Sequence, residues 1–111
     1  MRLLAAVLFC IAVTAVHPQN IEGQQLFDRK CGICHAEGGT GAIMLGRRLG
    51  KDGAILARRT DLQGPYVEAI ARSGLRSMPP LSRVEVPDSQ LSAIASYLVR
   101  PNSRTRAGAG P

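Results

Sequence analysis

The sequence predicts a single all-α domain, and three observations lead to that prediction. Its 111 residues are enough for one domain only. Apolar residues recur at helical spacing in three segments, whereas no segment alternates apolar and polar residues as a strand would. Only 4% of the residues are aromatic, with no Trp, so the core is expected to be small and to need a cofactor or crosslink for support.

The first segment is predicted to be a secretory signal peptide of residues 1–15. Arg2 gives it a positive start, and an apolar run follows that is shorter than the ~20 residues of a transmembrane helix. Small residues favour cleavage after Ala15, and an uncleaved N-terminal anchor is the alternative. Cleavage would remove Cys10 and leave a periplasmic domain of residues 16–100 with two cysteines and no membrane span.

Three main helices are predicted in the mature domain. The first covers residues 22–30. The second covers residues 65–73, with a proline at its first position and Gly74 as its stop. The third is the most regular: Asp88 is a good N-cap, apolar residues follow at i, i+3, i+4 and i+7, and Pro101 closes the helix.

The remaining segments are predicted to be irregular or short. Glycines at residues 38–41 indicate a loop after the first helix, and a short helix is expected near residues 53–59. Residues 101–111 are polar and rich in Gly and Arg, and are predicted to form a disordered C-terminal tail.

The chemistry of the chain is concentrated in Cys31-Gly32-Ile33-Cys34-His35. Cys-x-x-Cys-His is the attachment motif of a c-type haem. Cysteines at i and i+3 and a histidine at i+4 leave one face of a helical turn together. Two thioether bonds from Cys31 and Cys34 can therefore hold the porphyrin edge while His35 reaches the iron. The motif predicts one covalent haem c per chain.

Three other kinds of site use a similar cysteine spacing. A thioredoxin-like redox pair needs a preceding strand and a βαβ pattern, which this sequence lacks. A zinc site needs further ligands, and His17 is the only other histidine. A structural disulfide is the remaining alternative. The motif and the predicted export together favour covalent haem.

Two methionines are candidates for the sixth position of the haem iron, where a thioether suits electron transfer. Met44 follows the motif closely, and apolar packing is its expected role. Met78 stands in Ser77-Met78-Pro79-Pro80, where two prolines prevent a helix and present the side chain from an extended loop. His35 and Met78 are therefore the predicted iron ligands.

These motifs resemble those of a mono-haem class I cytochrome c. The resemblance runs from about residue 22 to residue 100 and includes Gly23 and Phe27 before the haem motif and Tyr97 in the last helix. It implies N- and C-terminal helices that cross around the haem, with Gly23 allowing close approach and the two rings filling the contact. Many members carry a proline whose neighbouring carbonyl orients the histidine; Ala42 stands there here, so the partner of His35 is open.

A narrower resemblance concerns the stretch from residue 41 to residue 62 together with the Met-Pro-Pro segment. It is similar to the cytochrome subunits of p-cresol methylhydroxylase- and eugenol hydroxylase-type flavocytochromes. In those proteins a flavoprotein oxidises a 4-alkylphenol and passes electrons singly to the haem. The resemblance implies a flavoprotein or another dehydrogenase as electron donor.

The chain is basic, with a net charge of +6. It shows no helix-turn-helix or zinc-finger spacing, so nucleic acid is not an expected partner. The densest basic group comprises Arg47, Arg48, Lys51, Arg58 and Arg59. These residues could guide an acidic partner, bind haem propionates or form a solvated face. Electrostatic steering of a partner is favoured for Arg58 and Arg59 and left open for the other three residues of the group.

Three classes of function are compatible with these features. The first is an electron carrier that receives single electrons from a dehydrogenase and passes them to a downstream cytochrome, copper protein or oxidase. The second is an obligate subunit of a flavocytochrome, with the same chemistry and a permanent partner. The third, a haem enzyme or gas sensor, needs an open sixth position on the iron. The sequence favours electron transfer and offers no catalytic residue.

Overall fold

The computed structural model describes residues 18–108; the predicted signal peptide and the last three residues lie outside this part. Helices follow one another without a strand in the described residues, which confirms the all-α prediction. The elements are α1 (Pro18–Lys30), α2 (Gly32–His35), α3 (Thr40–Leu49), α4 (Lys51–Ala54), a 3₁₀ helix (Leu56–Arg58), α5 (Gly64–Ser73) and α6 (Asp88–Gly108).

Helix α3 occupies a region that the sequence did not predict to be helical. Its first residues include Thr40 and Gly41, which the glycine pattern placed in a loop. A turn at Gly38, with φ of 81°, precedes it. Gly46 lies inside α3, where an added Cβ would stand 3.2 Å from the Cβ of Ala54. Close packing against α4 therefore outweighs the weak helix propensity of glycine.

Helix α6 differs from its prediction at the C-terminal end. The sequence placed the helix end at Pro101 and a disordered tail after it, whereas α6 continues to Gly108. Proline lacks an N–H group and so removes one helical hydrogen bond, but the residues that follow keep their own donors. The helix therefore includes most of the predicted tail; the last three residues lie outside the described part.

The core lies where α1 and α6 pack together, with α5 and the segment before α6 completing it. The Phe27 ring of α1 meets the Tyr97 ring of α6 with centroids 5.7 Å apart and planes inclined at 48°. This contact was expected from the family resemblance and is confirmed. The buried core residues are Leu26, Phe27, Leu62, Ala71, Val86, Leu91, Ile94 and Leu98.

Aliphatic side chains therefore provide most of this core.

Within the described residues, no helix combines the length and the apolar character that a membrane span requires.

Candidate functional site

The two cysteines and the histidine of the motif lie on one helical turn. The backbone N–H of Cys31 donates to the carbonyl of Phe27 at 2.8 Å, so the turn continues directly from α1. The N–H groups of Cys34 and His35 both donate to the carbonyl of Cys31, at 3.1 and 2.9 Å. The structure thus brings both thiols and the imidazole onto one short segment, as the spacing predicted.

The two thiols differ in their surroundings. Both cysteines are free, with Cys34 exposed and Cys31 half-buried against the core. Burial, and to a smaller extent the neighbouring Cys34, raise the pKa of the Cys31 thiol to about 11. At neutral pH Cys31 is therefore protonated, whereas the nucleophile of a thioredoxin-like pair needs a lowered thiol pKa. The environment does not favour the redox-pair alternative.

His35 is half-buried, and burial lowers its pKa below the ordinary value, which favours the neutral imidazole that binds metals. Its Nδ1 atom is buried and has no hydrogen-bond partner among the described residues. An added Cβ at Gly41 would lie 3.0 Å from His35 Cε1 and 3.1 Å from Nδ1. Gly41 therefore leaves the space that the ring occupies.

The orphaned Nδ1 atom bears directly on the open question about Ala42. This residue is buried, with 4% of its surface exposed, and the family resemblance places it where many members carry a proline. A metal-binding histidine usually donates its second N–H to a carbonyl or carboxylate. Here no such acceptor reaches Nδ1 within the described part of the chain. The departure at Ala42 thus coincides with a missing partner for His35.

Met78 is presented by a tight hairpin after α5. The backbone N–H of Leu75 donates to the carbonyl of Met78, and that of Met78 donates to Leu75, both at 3.0 Å. This reciprocal pair forms the isolated β-bridge of the structure. The side chain of Met78 is half-buried. The hairpin therefore fixes the backbone from which the predicted iron ligand extends.

Two backbone positions make this hairpin tight. Gly74 has φ of 72°, and an added Cβ there would lie 2.7 Å from the carbonyl oxygen of Met78 and 2.9 Å from the nitrogen of Pro80. Arg76 has φ of 55° and is the only non-glycine residue with positive φ in the described chain. Such a backbone costs about 1–2 kcal/mol for an L-residue. Strain of this kind concentrates at functional sites.

Met44 lies on α3 and is 48% exposed. The interpretation of Met44 as an apolar packing residue stays a prediction. Met44 shares α3 with other exposed apolar side chains, Ile43 and Leu49. Of the two methionines, Met78 is the one held in a fixed, half-buried turn.

The basic group separates into paired and unpaired residues. Arg59 is held by Asp61 through two bonds, Nε–Oδ1 at 2.8 Å and Nη2–Oδ2 at 2.6 Å, and its side chain is 16% exposed. These contacts raise the pKa of Arg59 and lower the pKa of Asp61. Arg58 makes a looser, exposed contact with Glu37 at 3.4 Å.

The other three residues of this basic group are exposed and form no ion pair within residues 21–99: Arg47, Arg48 and Lys51. The expectation that Arg59 steers a partner is thus not supported, because a neighbouring carboxylate cancels its charge.

Sequence reasoning missed Gly41 and Arg72. Gly41 follows the haem motif in a glycine-rich run, and that clustering is a signal of close backbone approach. Arg72 lies at the end of α5 and makes hydrogen bonds to the segment that follows Met78. Nothing in the sequence pattern distinguishes it from other helical arginines.

A conventional metal cluster is not visible in the part of the chain that the structure describes: no three His, Cys, Asp or Glu side chains are arranged there so that they could hold a metal ion by themselves. The donors on the haem motif are therefore two thiols and one imidazole, and the thioether of Met78 stays a predicted donor. This set suits a cofactor that supplies most of its own iron ligands.

Comparison with known proteins agrees with this donor set. Residues 18–98 match the family described as "Cytochrome C oxidase, cbb3-type, subunit III". Over 77 residues the chain is 34% identical to the 4-cresol dehydrogenase (hydroxylating) cytochrome c subunit of Pseudomonas putida, covering 68% of this chain and 57% of that protein. The chain thus spans little more than half the length of this curated relative. No solved structure matched the chain.

The predicted resemblance to a cytochrome c is therefore confirmed, and the likeness to the 4-cresol dehydrogenase subunit agrees with the narrower resemblance. The family match covers most of the described residues and includes the whole haem motif and Met78. This chain belongs to the cytochrome c family, in the branch whose model is described as cbb3-type cytochrome c oxidase subunit III, and that membership implies that it binds haem.

Proposed function

We propose that this chain is an exported electron-transfer protein with one covalently bound haem c. Cys31 and Cys34 would form the two thioether links, and His35 and Met78 would hold the iron. The observation that carries the proposal is the single helical turn that bears both thiols and the imidazole. The family match supports haem binding in general, and the covalent form follows from the motif.

The residues at the site fit a haem in three respects. The imidazole is half-buried and inclined to be neutral, as an iron ligand must be. Both thiols are free, and the thiol of Cys31 is protonated at neutral pH. Each thiol can therefore add its S–H across a vinyl group of the porphyrin, a reaction that needs no oxidant. Large apolar side chains of the surrounding elements are exposed, Ile33 at 85% and Leu75 at 44%, and an apolar macrocycle could cover such surface.

The haem supplies an iron that cycles between two oxidation states. The chain would hold this iron through His35 and Met78 and surround the ring with apolar residues. The thioether of Met78 favours the reduced iron, and burial disfavours the extra charge of the oxidised form, so both raise the reduction potential. With both positions filled, a carrier is favoured over a haem enzyme or gas sensor.

A dehydrogenase is the proposed electron donor. The relative from Pseudomonas putida is named as the cytochrome subunit of a 4-cresol dehydrogenase, so a flavoprotein that oxidises 4-alkylphenols is the specific candidate. The acceptor would be a downstream cytochrome, a copper protein or an oxidase. A free diffusible carrier in the periplasm is the alternative to a bound subunit, and copurification of a flavoprotein from native periplasm separates the two.

Haem staining after denaturing electrophoresis tests the covalent link. The full-length chain is produced in a host that attaches haem in the periplasm, and N-terminal sequencing locates the cleavage site. We expect the wild-type band to stain and Cys31→Ala/Cys34→Ala to lose the stain. Cys10→Ala is the matched control and should stain, because Cys10 lies in the predicted signal peptide. A wild-type haem that extracts into acidified organic solvent would contradict the proposal.

A further inference from the structure

Arg72, in the last turn of α5, binds the chain segment that follows Met78. Its Nη1 atom donates to the carbonyls of Leu81 and Ser82, both at 3.1 Å. Its Nη2 atom donates to the carbonyl of Val86 at 2.8 Å and to Asp88 Oδ1 at 2.7 Å. The Arg72 side chain is only 19% exposed. One guanidinium thus joins α5, the loop before α6 and the first residue of α6.

These bonds close the loop that carries Met78. The chain leaves α5 after Ser73 and returns to the same helical turn at Leu81, whose N–H donates to the carbonyl of Ala71 at 2.8 Å. The intervening residues 74–80 form the hairpin described above. The loop end is therefore fixed on α5 by the backbone bond that Ala71 accepts from Leu81 and by the side-chain clamp of Arg72. Without the clamp, the loop could sample more positions.

The contacts require the shape of an arginine and not only its charge. The guanidinium presents five donors in a rigid fork, so two nitrogen atoms can serve four acceptors, whereas a lysine ammonium is a point charge with three donors. The third nitrogen, Nε, is buried without a partner in the described structure. The side chain is therefore held entirely through its two terminal nitrogen atoms.

Arg83 provides a natural comparison, because it binds the other oxygen of the same carboxylate. Its Nε atom donates to Asp88 Oδ2 at 2.9 Å, but its side chain is 73% exposed and has no hydrogen bond to a loop carbonyl within the described residues. Hydrogen bonds from Arg83 and then from Arg72 lower the pKa of Asp88, which keeps the carboxylate charged. The two arginines thus share an acidic partner and differ in their hold on the loop.

We propose that Arg72 is a positioning residue that holds the Met78 thioether at the haem iron by clamping the loop between α5 and α6. The proposal rests on the proposed function, in which Met78 is the sixth ligand. Arg72 itself touches neither the iron nor Met78 in this scheme. Its effect is to limit the fraction of time that the thioether spends away from the iron.

Competition with a small ligand tests this effect on the oxidised holoprotein. Free imidazole binds the iron only when Met78 is displaced, so its apparent affinity rises with the displaced fraction. For Arg72→Lys we expect an apparent affinity about ten-fold higher than wild type, equivalent to about 1.4 kcal/mol. Arg83→Lys, the matched control, should stay within about two-fold, since its partner is exposed.

The outcomes separate positioning from plain stability. A lower melting temperature in Arg72→Lys with unchanged imidazole affinity would overturn the proposal, as would an equal change in Arg83→Lys. If Arg72→Lys does not fold, Asp88→Asn replaces it, because this change weakens only one contact of Arg72. An increase of at least about two-fold is then expected, and an unchanged affinity overturns the proposal.

Failure of the proposed function would be visible separately. Oxidised haem proteins with a methionine ligand show a weak sulfur-to-iron absorption band in the far red. If Met78→Ala kept the wild-type band, Met78 would not be the ligand, and the role of Arg72 would fall with it. If Met78→Ala lost the band and Arg72→Lys still matched wild type in imidazole binding, only the role of Arg72 would be rejected.

Discussion

Gly23 of α1 lies directly against the backbone carbonyl of Ala93 in α6, and an added Cβ at Gly23 would overlap that oxygen atom. The same Cβ would stand 2.9 Å from the Cβ of Tyr97. The next turn of α1 places Phe27 against the Tyr97 ring. The two helices therefore meet backbone to backbone at Gly23 and ring to ring at Phe27.

Replacing Gly23 by alanine should destabilise the folded protein. The new methyl group meets a carbonyl that cannot move without shifting α6, which costs about 1–3 kcal/mol. The gain in helix propensity, roughly 0.5–1 kcal/mol, does not offset this cost. Urea unfolding of the holoprotein measures the difference.

Gly64→Ala is the control for this prediction. No atom lies within 4 Å of an added Cβ at Gly64, the first residue of α5, and its φ is not positive. The substitution should leave the free energy of unfolding unchanged or raise it by about 0.4–1 kcal/mol. Equal effects of the two substitutions would contradict the close-approach argument.

The two methionines should respond differently to substitution. Met78→Ala is expected to abolish the far-red sulfur band, lower the reduction potential and open the iron to small ligands, because the sixth ligand is lost. Met44→Ala should keep all three properties, since Met44 is predicted to be an apolar packing residue and not an iron ligand. Absorption spectra and redox titration of both variants provide the measurement. The opposite pattern would make Met44 the ligand.

The strained turn at Arg76 predicts an unusual effect of glycine. Its φ of 55° suits glycine, so Arg76→Gly relieves about 1–2 kcal/mol of strain while adding about 0.5–1 kcal/mol of unfolded-state entropy. At Ser77, whose φ is not positive, glycine brings only the entropic cost. The entropic cost is common to both variants, so the free energy of unfolding of Arg76→Gly should exceed that of Ser77→Gly by about 1–2 kcal/mol. Denaturant titrations that rank the two variants the other way would show that the turn is unstrained.

The sequence predicted the elements whose patterns are local. The spacing of the haem motif, the proline and glycine that limit the second helix, and the start of α6 near Asp88 all depend on residues a few positions apart. Each reappears close to its expected position, with α5 at Gly64–Ser73 against a prediction of 65–73. The contact between Phe27 and Tyr97 came from the family resemblance, because no local pattern pairs distant residues.

The features that the sequence did not predict depend on tertiary contacts. The glycines around Gly41 indicated a loop, yet packing against His35 and α4 makes the segment helical. Arg59 is a different case, because Asp61 is only two positions away and the pair depends on the local backbone that turns the two side chains toward each other. The hold of Arg72 on Val86 requires a chain reversal that no periodicity encodes. Such contacts decide which of several similar side chains acts at the site.

The unpaired basic residues lead to the last prediction, which concerns how a partner approaches. Arg47 and Arg48 lie in the last turn of α3, are exposed and form no ion pair within residues 21–99. The positive electrostatic potential of their side chains therefore extends into the solvent. Opposite charge raises encounter rates strongly at low ionic strength. In Arg47→Glu/Arg48→Glu, oxidation of the reduced holoprotein by anionic ferricyanide should slow by roughly ten-fold at low salt. Oxidation by a cationic cobalt(III) complex should accelerate.

The dependence on salt and a charge-neutral control make this prediction specific. The variant and wild type should converge at high salt, because the Debye length falls from ~10 Å at 0.1 M to ~3 Å at 1 M. Arg59→Gln/Asp61→Asn removes a paired cation and its partner together, so it keeps the net charge and should show the wild-type salt dependence. Stopped-flow rates over a range of ionic strengths measure all three proteins. Rates indifferent to salt in every case would reject steering by Arg47 and Arg48 and leave these residues as a solvated face of α3.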